Sequence, residues 1–176
     1  MSKMKIGYVG LGRMGLQMVK GLANQVDIVA FDLDDSLVQQ AVDVGAQGVK
    51  RLADIPNELM EPRIIWLMVP MGAAVDRIIE ELVPHLSSGD VLVDGGNADY
   101  LDSIRRRKFL AEKGIGFAGA GTSGGTEGAL KGPPISVDCT STDYVKIRPI
   151  LEFLGGNHVH FEDAGKGHLA KTLHNA

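Results

Sequence analysis

A glycine-rich turn near the N-terminus has the residue types and spacing that bind dinucleotides. Gly10, Gly12 and Gly15 form the pattern G-x-G-x-x-G directly after a short apolar run. In such a strand–turn–helix unit the first glycine makes the turn, the second lets the backbone approach a pyrophosphate, and the third lets helix and strand pack closely. The pyrophosphate binds free amides at the positive end of the helix. The pattern therefore predicts a cofactor site in the turn residues Gly10, Leu11, Gly12, Arg13, Met14 and Gly15.

An acidic residue stands where the second half of this pattern requires it. The run 26–31 is predicted to form the next strand and is followed by Asp32, about 20 residues after the turn, where a carboxylate binds the ribose hydroxyls. Because G-x-G-x-x-G alone can arise by chance in a chain with 23 glycines, the position of Asp32 decides in favour of a dinucleotide site. The alternative is an ordinary βαβ unit in which Asp32 only caps the following helix.

The same acidic residue predicts which cofactor is preferred. NADP would bring its 2′-phosphate beside the Asp32 carboxylate, and like charges repel. The residues that follow, 33–35, supply no cation. Arg13 and Arg51 are the only basic side chains that could compensate, and neither has the right place in the motif. The sequence therefore predicts NAD over NADP.

A second group of reactive side chains lies near the C-terminus. Lys171, His174 and Asn175 are spaced i, i+3 and i+4, which places them on one face of a helix. A lysine, an imidazole and an amide together suit hydrogen bonding to a polyhydroxylated anion. Taken alone, the triplet is equally compatible with a solvated helix face.

Alternating apolar patterns predict the elements that position these residues. Strands are predicted at 6–9, 26–31, 47–49, 63–69, 90–94, 115–118, 135–139 and 159–161. Helices are predicted after the first turn and at 34–44, 52–60, 73–86, 100–113, 143–154 and 165–176. The run 63–69 is nearly continuous in apolar residues, as a central parallel strand buried on both faces requires. The fold class is therefore α/β, a doubly wound and mainly parallel sheet with flanking helices.

Three loops follow predicted strands, and ligands of open α/β sheets bind at the carboxyl ends of the strands. These loops are Pro70–Gly72, Gly95–Asn97 and the glycine-rich run 119–125. Consecutive backbone amides around Ser123–Gly125 can bind a carboxylate as a nest. The candidate residues thus gather at one edge of the predicted sheet.

Composition limits the classes of protein that remain. A chain of 176 residues fits one domain with a full core. The net charge of −4 argues against a nucleic-acid partner. The sequence offers neither a signal peptide nor an apolar stretch long enough for a membrane span. We expect a cytoplasmic enzyme or binding domain without a membrane partner.

Other conspicuous residues are expected to have ordinary structural roles. The single cysteine, Cys139, lies in an apolar run and is predicted to be a small core residue. The basic run 105–108 is predicted to be a solvated helix face. His158 and His160 share one side of a predicted strand, but no third ligand has a suitable spacing for a metal. We therefore predict no metal site.

Taken together, the motifs resemble the 6-phosphogluconate dehydrogenase family, decarboxylating enzymes within the β-hydroxyacid dehydrogenase group. The resemblance covers the whole chain and rests on the segments 10–15, 94–97, 122–128 and 165–175. It implies a Rossmann-like dinucleotide-binding domain over residues 1–164. It also implies that 165–176 begins the helix leading to an all-helical domain that is absent from this chain.

The resemblance implies oxidative decarboxylation of 6-phosphogluconate to ribulose 5-phosphate, a step of the pentose phosphate pathway, with Lys171 as general base and later general acid. It assigns catalysis to Lys171 and Asn175. Cofactor contacts fall on the turn 10–15 and on Asp32, Leu33, Val69, Pro70, Met71 and Asn97. Substrate contacts fall on Asn97, Ser123, Gly124, Gly125, His174 and Asn175. The chemistry needs no metal, because a protonated lysine can polarise the C3 carbonyl of the β-keto acid intermediate.

Some functional groups of the family are expected outside this chain. The resemblance implies a proton-donating glutamate about two helical turns past Lys171, and substrate-phosphate ligands from the helical domain and from a partner subunit of a homo-oligomer. Ala98 also stands where the family usually has serine. We therefore expect this chain to bind the cofactor but not to oxidise the sugar-acid phosphate by itself.

Two other functions remain compatible with the sequence. One is a dehydrogenase of the same group that acts on a short 3-hydroxy acid, such as 3-hydroxyisobutyrate, without decarboxylation. The other is a non-catalytic dinucleotide-binding module, such as a redox sensor. The segments Gly95–Asn97 and His174–Asn175 favour phosphogluconate over the short acid. Lys171 disfavours the non-catalytic module, in which it would have no purpose.

Overall fold

The computed structural model describes residues 3–175 as one eight-stranded sheet with helices on both faces. The strand order is β3-β2-β1-β4-β5-β6-β7-β8. In chain order the strands are β1 (Met4–Val9), β2 (Val26–Phe31), β3 (Gln47–Gly48), β4 (Ile64–Leu67), β5 (Val91–Asp94), β6 (Gly116–Thr122), β7 (Ile135–Asp138) and β8 (His158–Phe161). Strands β1–β6 are parallel, β7 is antiparallel to β6, and β8 runs parallel to β7. The predicted doubly wound, mainly parallel sheet is confirmed.

Helices connect the strands, but one predicted helix is wrong and one observed helix, at Gly125–Lys131, was not predicted. The helices are α1 (Arg13–Leu22), α2 (Asp35–Asp43), α3 (Ala73–Leu82), α4 (Tyr100–Ala111), α5 (Gly125–Lys131), α6 (Ser141–Phe153) and α7 (Lys166–Asn175). The predicted helix at 52–60 is wrong, because this segment forms two short 3₁₀ turns, Leu52–Asp54 and Pro56–Glu58. Pro56 lacks the N–H that would continue an α-helix across the segment.

Successive residues of the central strands point to opposite faces, so each face of the sheet has its own apolar core. On one face Tyr8 and Trp66 pack with buried residues of α1, α2, α5 and α6. On the other, Ile65 and Phe117 pack with buried residues of α3 and α4. Cys139 is fully buried in the first core, as predicted. With both faces of the central strands covered by helices, the loops at the strand ends are the part of the central sheet that a ligand can reach.

The order of strands creates a crevice above β1. Strand β1 pairs with β2 on one side and β4 on the other. The connection that follows β1 leads to β2, and the connection that follows β4 leads in the opposite direction to β5. At such a switch point the adjoining loops diverge, and open α/β sheets bind their ligands there. Within residues 3–175, no helix has the length and apolarity needed to cross a membrane.

Candidate functional site

A cavity of about 660 Å³ lies at the carboxyl ends of β1, β2 and β4, at the switch point of the sheet. The residues predicted from sequence that line it are Gly10, Gly12, Asp32, Leu33, Val69 and Pro70. Met71 is exposed beside it, and Leu11 is buried behind the turn. The structure therefore gathers the two halves of the dinucleotide pattern around one cleft.

The three glycines of the turn differ in what surrounds them. Gly10 has φ +95°, and a Cβ built there would lie 2.2 Å from the Met68 carbonyl oxygen. A Cβ at Gly15 would lie 2.2 Å from the Gly10 carbonyl oxygen. Nothing lies within 4 Å of a Cβ built on Gly12. Gly10 and Gly15 are thus required by the turn itself, whereas Gly12 leaves space in front of the cleft.

Helix α1 begins at this open position. The Leu16 N–H donates to the Gly12 carbonyl at 2.9 Å, which is the first turn of the helix. The amides ahead of Leu16 have no acceptor within an α-helix, and the positive end of the helix dipole adds to their attraction for an anion. The open space at Gly12 and these amides fit a pyrophosphate.

The Asp32 carboxylate is held at the cleft by two backbone amides. Its Oδ2 accepts a hydrogen bond from Leu11 N–H at 2.7 Å, and its Oδ1 accepts one from Asp34 N–H at 2.9 Å. Asp34, and not Asp32, caps helix α2, with its side chain accepting from Ser36 N–H. The alternative of a purely capping Asp32 is therefore excluded, and the carboxylate is oriented at the wall of the cleft.

Two arginines line the cleft on the side of α3 and of the first 3₁₀ turn. Arg51 pairs with Asp54 at 2.6 Å. Arg77 lies on α3, one turn before Glu81, which also lines the cleft. Arg77 was missed by the sequence analysis, which considered only Arg13 and Arg51. A signal was present, since Arg77 shares a helix face with Ala74, Ile78 and Glu81.

A second cluster lies where β5 and β6 end, under helix α7. Built Cβ atoms show how closely the helix approaches the strands: at Gly121 it would lie 2.5 Å from Lys171 Cβ, and at Gly167 it would lie 2.4 Å from the Gly119 carbonyl oxygen. Gly119 and Gly121 alternate along β6 and so share a face. This face without side chains lets α7 lie directly on the strand.

Lys171 is the residue of this cluster with altered acid–base properties. Its Nζ donates a hydrogen bond to Ser123 Oγ at 3.0 Å. Partial burial lowers the pKa of the Lys171 ammonium below its usual range, because a low-polarity surrounding disfavours the charged form. A lysine in this state can exchange a proton with a neighbouring hydroxyl group.

The other predicted substrate residues surround this pair without contacting it through side chains. Asn97 is exposed directly after β5, and His174 and Asn175 are exposed in the last turn of α7. Gly124 and Gly125 have φ values of +95° and +59° at the start of α5. Within residues 3–175, the structure brings Lys171 and Ser123 into direct contact, and it leaves the remaining candidates as an open rim.

Behind this rim lies a buried polar network that the sequence analysis missed. Arg106 belongs to the basic run 105–108, and the prediction of a solvated face is wrong for it: its side chain is 1% exposed. The guanidinium bonds to Asp76 at 2.9 Å and to the Gly72 carbonyl at 3.0 Å, and it lies 3.3 Å from Asp94. Arg106 thus joins the loops that follow β4 and β5.

The described residues offer no cluster of metal ligands. Among residues 3–175, no group of three or more His, Cys, Asp or Glu side chains is arranged to hold a metal ion. Of the predicted histidine pair, His160 stacks on Tyr144 with ring centroids 4.1 Å apart, and His158 Nε2 lies 2.8 Å from the Tyr144 hydroxyl. Both rings therefore pack against α6 at the edge of the sheet.

Comparisons with known proteins show the family and the fold to which the chain is similar. The chain is 38% identical over 176 residues to the NAD⁺-dependent, decarboxylating 6-phosphogluconate dehydrogenase of Haloferax volcanii, covering 98% of this chain and 58% of the relative. It also matches the structure of Plasmodium falciparum 6-phosphogluconate dehydrogenase, studied with NADP⁺ and with 6-phosphogluconate, at TM-score 0.89 and 28% identity. That match covers 97% of this chain and 39% of the other.

The fold alone is shared more widely. The 3-hydroxyisobutyrate dehydrogenase of Mycobacterium tuberculosis aligns at TM-score 0.86 with 22% identity, over 99% of this chain and 60% of that one. The chain therefore spans about two fifths to three fifths of the proteins it matches. The family model for the NAD binding domain of 6-phosphogluconate dehydrogenase matches residues 5–161. With nearly the whole described sheet inside that match, the chain belongs to the family of the NAD-binding domain of 6-phosphogluconate dehydrogenase.

Proposed function

We propose that this chain is the cofactor-binding part of an enzyme that oxidises 6-phosphogluconate with NAD and decarboxylates the product. The observation that carries the proposal is the contact of the partly buried Lys171 with Ser123 at the carboxyl ends of β5 and β6. This contact lies on the same sheet edge as the dinucleotide cleft. A proton acceptor would then share a sheet edge with the cofactor that accepts the hydride, which is what oxidation of a secondary alcohol requires.

The cofactor cleft fits its ligand on three counts. The open position at Gly12 would admit the pyrophosphate, and the first amides of α1 would bind it. The Asp32 carboxylate, which Leu11 N–H holds at the cleft, would accept hydrogen bonds from the ribose hydroxyls. Leu33, which is 95% exposed, offers an apolar surface at the cleft. When bound, the nicotinamide accepts a hydride.

Lys171 would handle the proton in both chemical steps. In the neutral state its Nζ accepts the proton of the substrate C3 hydroxyl while the C3–H bond breaks and its electron pair leaves as hydride. The resulting ammonium then hydrogen-bonds to the new C3 carbonyl oxygen. As the C1–C2 bond breaks, its electron pair forms the enediol, the ammonium returns its proton to the C3 oxygen, and carbon dioxide leaves.

The rim residues would bind the sugar acid. The Gly124 and Gly125 amides that open α5 would suit the substrate carboxylate, since they lie in a turn with φ values of +95° and +59° that can form an anion nest. The Ser123 N–H does not contribute to this nest, because it donates to the Pro134 carbonyl at 2.9 Å, so Ser123 would contribute its hydroxyl group. Asn97, His174 and Asn175 would bind hydroxyl groups. We propose that α7 continues into a helical domain, and that this domain and a second subunit supply the ligands of the substrate phosphate.

The test of this function is a comparison of substrates in a full-length dehydrogenase that carries this chain. We expect reduction of NAD with 6-phosphogluconate, accompanied by one carbon dioxide released per NADH. 3-Hydroxyisobutyrate should support little or no reduction. Faster turnover of the short acid, or reduction without release of carbon dioxide, would assign the chain to another β-hydroxyacid dehydrogenase.

Cofactor preference gives a separate prediction, NAD over NADP. The 2′-phosphate of NADP carries a charge of about −2, and each unit charge about 4 Å from a carboxylate costs about 4 kcal/mol at an effective dielectric of about 20. Salt screening and loop relaxation reduce this cost. If about 2.7 kcal/mol of it remains, NAD is still preferred over NADP by about a hundredfold. Fluorescence titration of this chain with both cofactors at one salt concentration measures the ratio of the two Kd values.

Variants of the cleft sharpen that titration. Asp32→Asn removes the negative charge. It should lower the ratio of the Kd of NADP to the Kd of NAD, mainly because NADP binds more tightly. Arg51→Ala and Arg77→Ala test whether the cations of the cleft compensate for the phosphate; they should leave NAD binding nearly unchanged. Equal or tighter binding of NADP by the unsubstituted chain would contradict the prediction.

A further inference from the structure

A buried histidine joins the helix of Lys171 to the loop that leads into Asn97. His168 is 1% exposed. Its Nδ1 lies 2.7 Å from Ser103 Oγ on α4, and its Nε2 lies 3.1 Å from the Gly96 carbonyl oxygen. The ring therefore connects α7, α4 and the loop after β5.

The partners of the imidazole determine how its protons are arranged. A carbonyl oxygen can only accept, so the nitrogen facing Gly96, Nε2, carries a proton and donates it. The other nitrogen, Nδ1, shares a hydrogen bond with the hydroxyl of Ser103, which is fully buried and also lies 3.4 Å from the Asp99 carbonyl oxygen. Both ring nitrogens of His168 are engaged, which leaves the ring a single orientation.

The Gly96 peptide is held from several sides. Its N–H donates to Asp94 Oδ1 at 3.3 Å, and its carbonyl accepts from His168. A Cβ built on Gly96 would lie 2.8 Å from the carbonyl oxygen of Val69, which lines the dinucleotide cleft. The residue before Asn97 is thus packed between the cofactor loop and the helix of Lys171.

The strand beneath the helix accommodates this arrangement. A Cβ on Gly119 would lie 2.9 Å from His168 Nδ1, just as one on Gly121 would meet Lys171. His168 and Lys171 are separated by three positions on one helix face. The His168 ring and the Lys171 stem therefore pack against neighbouring glycines on the same face of β6.

We propose that His168 is a positioning residue whose hydrogen bond to the Gly96 carbonyl sets the place of Asn97 relative to Lys171. The proposal rests on the function given above, in which Asn97 binds the substrate and Lys171 moves its proton. His168 itself is buried behind these residues and does not face the open rim. It acts through the loop, where a shift of about 1 Å can lower the rate up to about a hundredfold.

Two amide variants separate the two hydrogen bonds of the ring. His168→Gln places an amide NH₂ near the position of Nε2 and keeps the donor to Gly96. His168→Asn reaches only the position of Nδ1 and keeps the contact with Ser103. Both variants remove the ring from the same buried site, but the asparagine side chain is one methylene shorter and loses more packing, so the Tm of each variant is measured as well. A role in positioning predicts that only the glutamine variant preserves the loop.

The single tryptophan reports on the loop in this chain without any need for turnover. Trp66 is fully buried, and a Cβ built on Gly95 would lie 2.2 Å from its Nε1, so the loop covers the indole. Loosening of the loop admits water to the indole and shifts the emission maximum to longer wavelength. We expect this shift with His168→Asn and not with His168→Gln, measured well below the Tm of both variants. Ser103→Ala, which retains the histidine, should give a smaller shift in the same direction.

Activity in a full-length dehydrogenase that carries this chain gives the second readout. His168→Asn should lower kcat by about tenfold to a hundredfold and leave the Kd of NAD unchanged, whereas His168→Gln should restore most of kcat. The proposal is overturned if His168→Asn and His168→Gln have the same emission maximum and the same kcat. If neither histidine variant folds, Ser103→Ala decides, and an unshifted emission maximum in that variant would also overturn the proposal. If the unsubstituted enzyme does not oxidise 6-phosphogluconate, the proposed function fails, and the Trp66 emission still decides the role of His168.

Discussion

Replacing Gly12 with valine is expected to abolish measurable dinucleotide binding while the chain remains folded. No atom lies within 4 Å of a Cβ at this position, so the valine has room in the protein but occupies the approach to the α1 amides. Loss of two charge-assisted hydrogen bonds, each worth about 1.5–3 kcal/mol, raises Kd by about a hundredfold or more. Isothermal titration with NAD measures the loss, and thermal unfolding of the same sample measures the fold.

Gly10→Ala is the matched control for this result. Its Cβ would lie 2.2 Å from the Met68 carbonyl oxygen, at a φ of +95° that side chains rarely adopt. This variant should therefore lower Tm strongly, in contrast to Gly12→Val. NAD binding by Gly12→Val with a Kd close to that of the unsubstituted chain would show that the pyrophosphate does not bind at this turn.

Replacing Lys171 with alanine is expected to lower kcat by about a hundredfold to ten-thousandfold in a full-length dehydrogenase that carries this chain. The reason is the loss of the group that accepts the C3 hydroxyl proton. The Kd of NAD should change little, because Lys171 does not line the cleft. Steady-state kinetics with 6-phosphogluconate and a separate NAD titration measure the two quantities.

Two lysine controls and a pH profile test the assigned role. Lys171→Arg keeps a positive charge that cannot act as a base, so it should be nearly as slow as the alanine variant. Lys166→Ala removes an exposed lysine of the same helix, paired with Asp163, and should keep full activity. Since partial burial lowers the pKa of Lys171, the rate should rise with pH below the usual lysine range as the neutral amine forms. An unchanged kcat in Lys171→Ala would show that this lysine takes no part in catalysis.

Local patterns in the sequence predicted most of the fold and the dinucleotide cleft. The glycines at 10, 12 and 15 act within one turn, and Asp32 follows the next strand, so the pairing of two consecutive strands, β1 and β2, brings them close. The two errors in the predicted secondary structure also have local causes. Helix α5 was not predicted, because its seven residues include two glycines, which have poor helix propensity. The predicted helix at 52–60 did not account for Pro56.

The arrangement of the second cluster could not be predicted from spacing. Lys171 and Ser123 are 48 positions apart, and His168 and Gly96 are 72 apart. The roles of Lys171 and Ser123 were predicted from the resemblance to a family. No role was predicted for His168, although it lies in the segment 165–175 that carries this resemblance. Only the packing of α7 on the glycines of β6 brings these side chains together.

Arg106 shows why some features can be predicted from the sequence and others only from the tertiary structure. Its own sequence neighbours are basic and polar, so the local pattern predicted a solvated face. Burial of an arginine is tolerated only where carboxylates and carbonyls neutralise it, and here these come from Asp76, Gly72 and Asp94 on other elements. Short-range sterics and periodicity can be read along the chain, whereas the burial and pairing of a charge depend on partners that only the tertiary structure supplies.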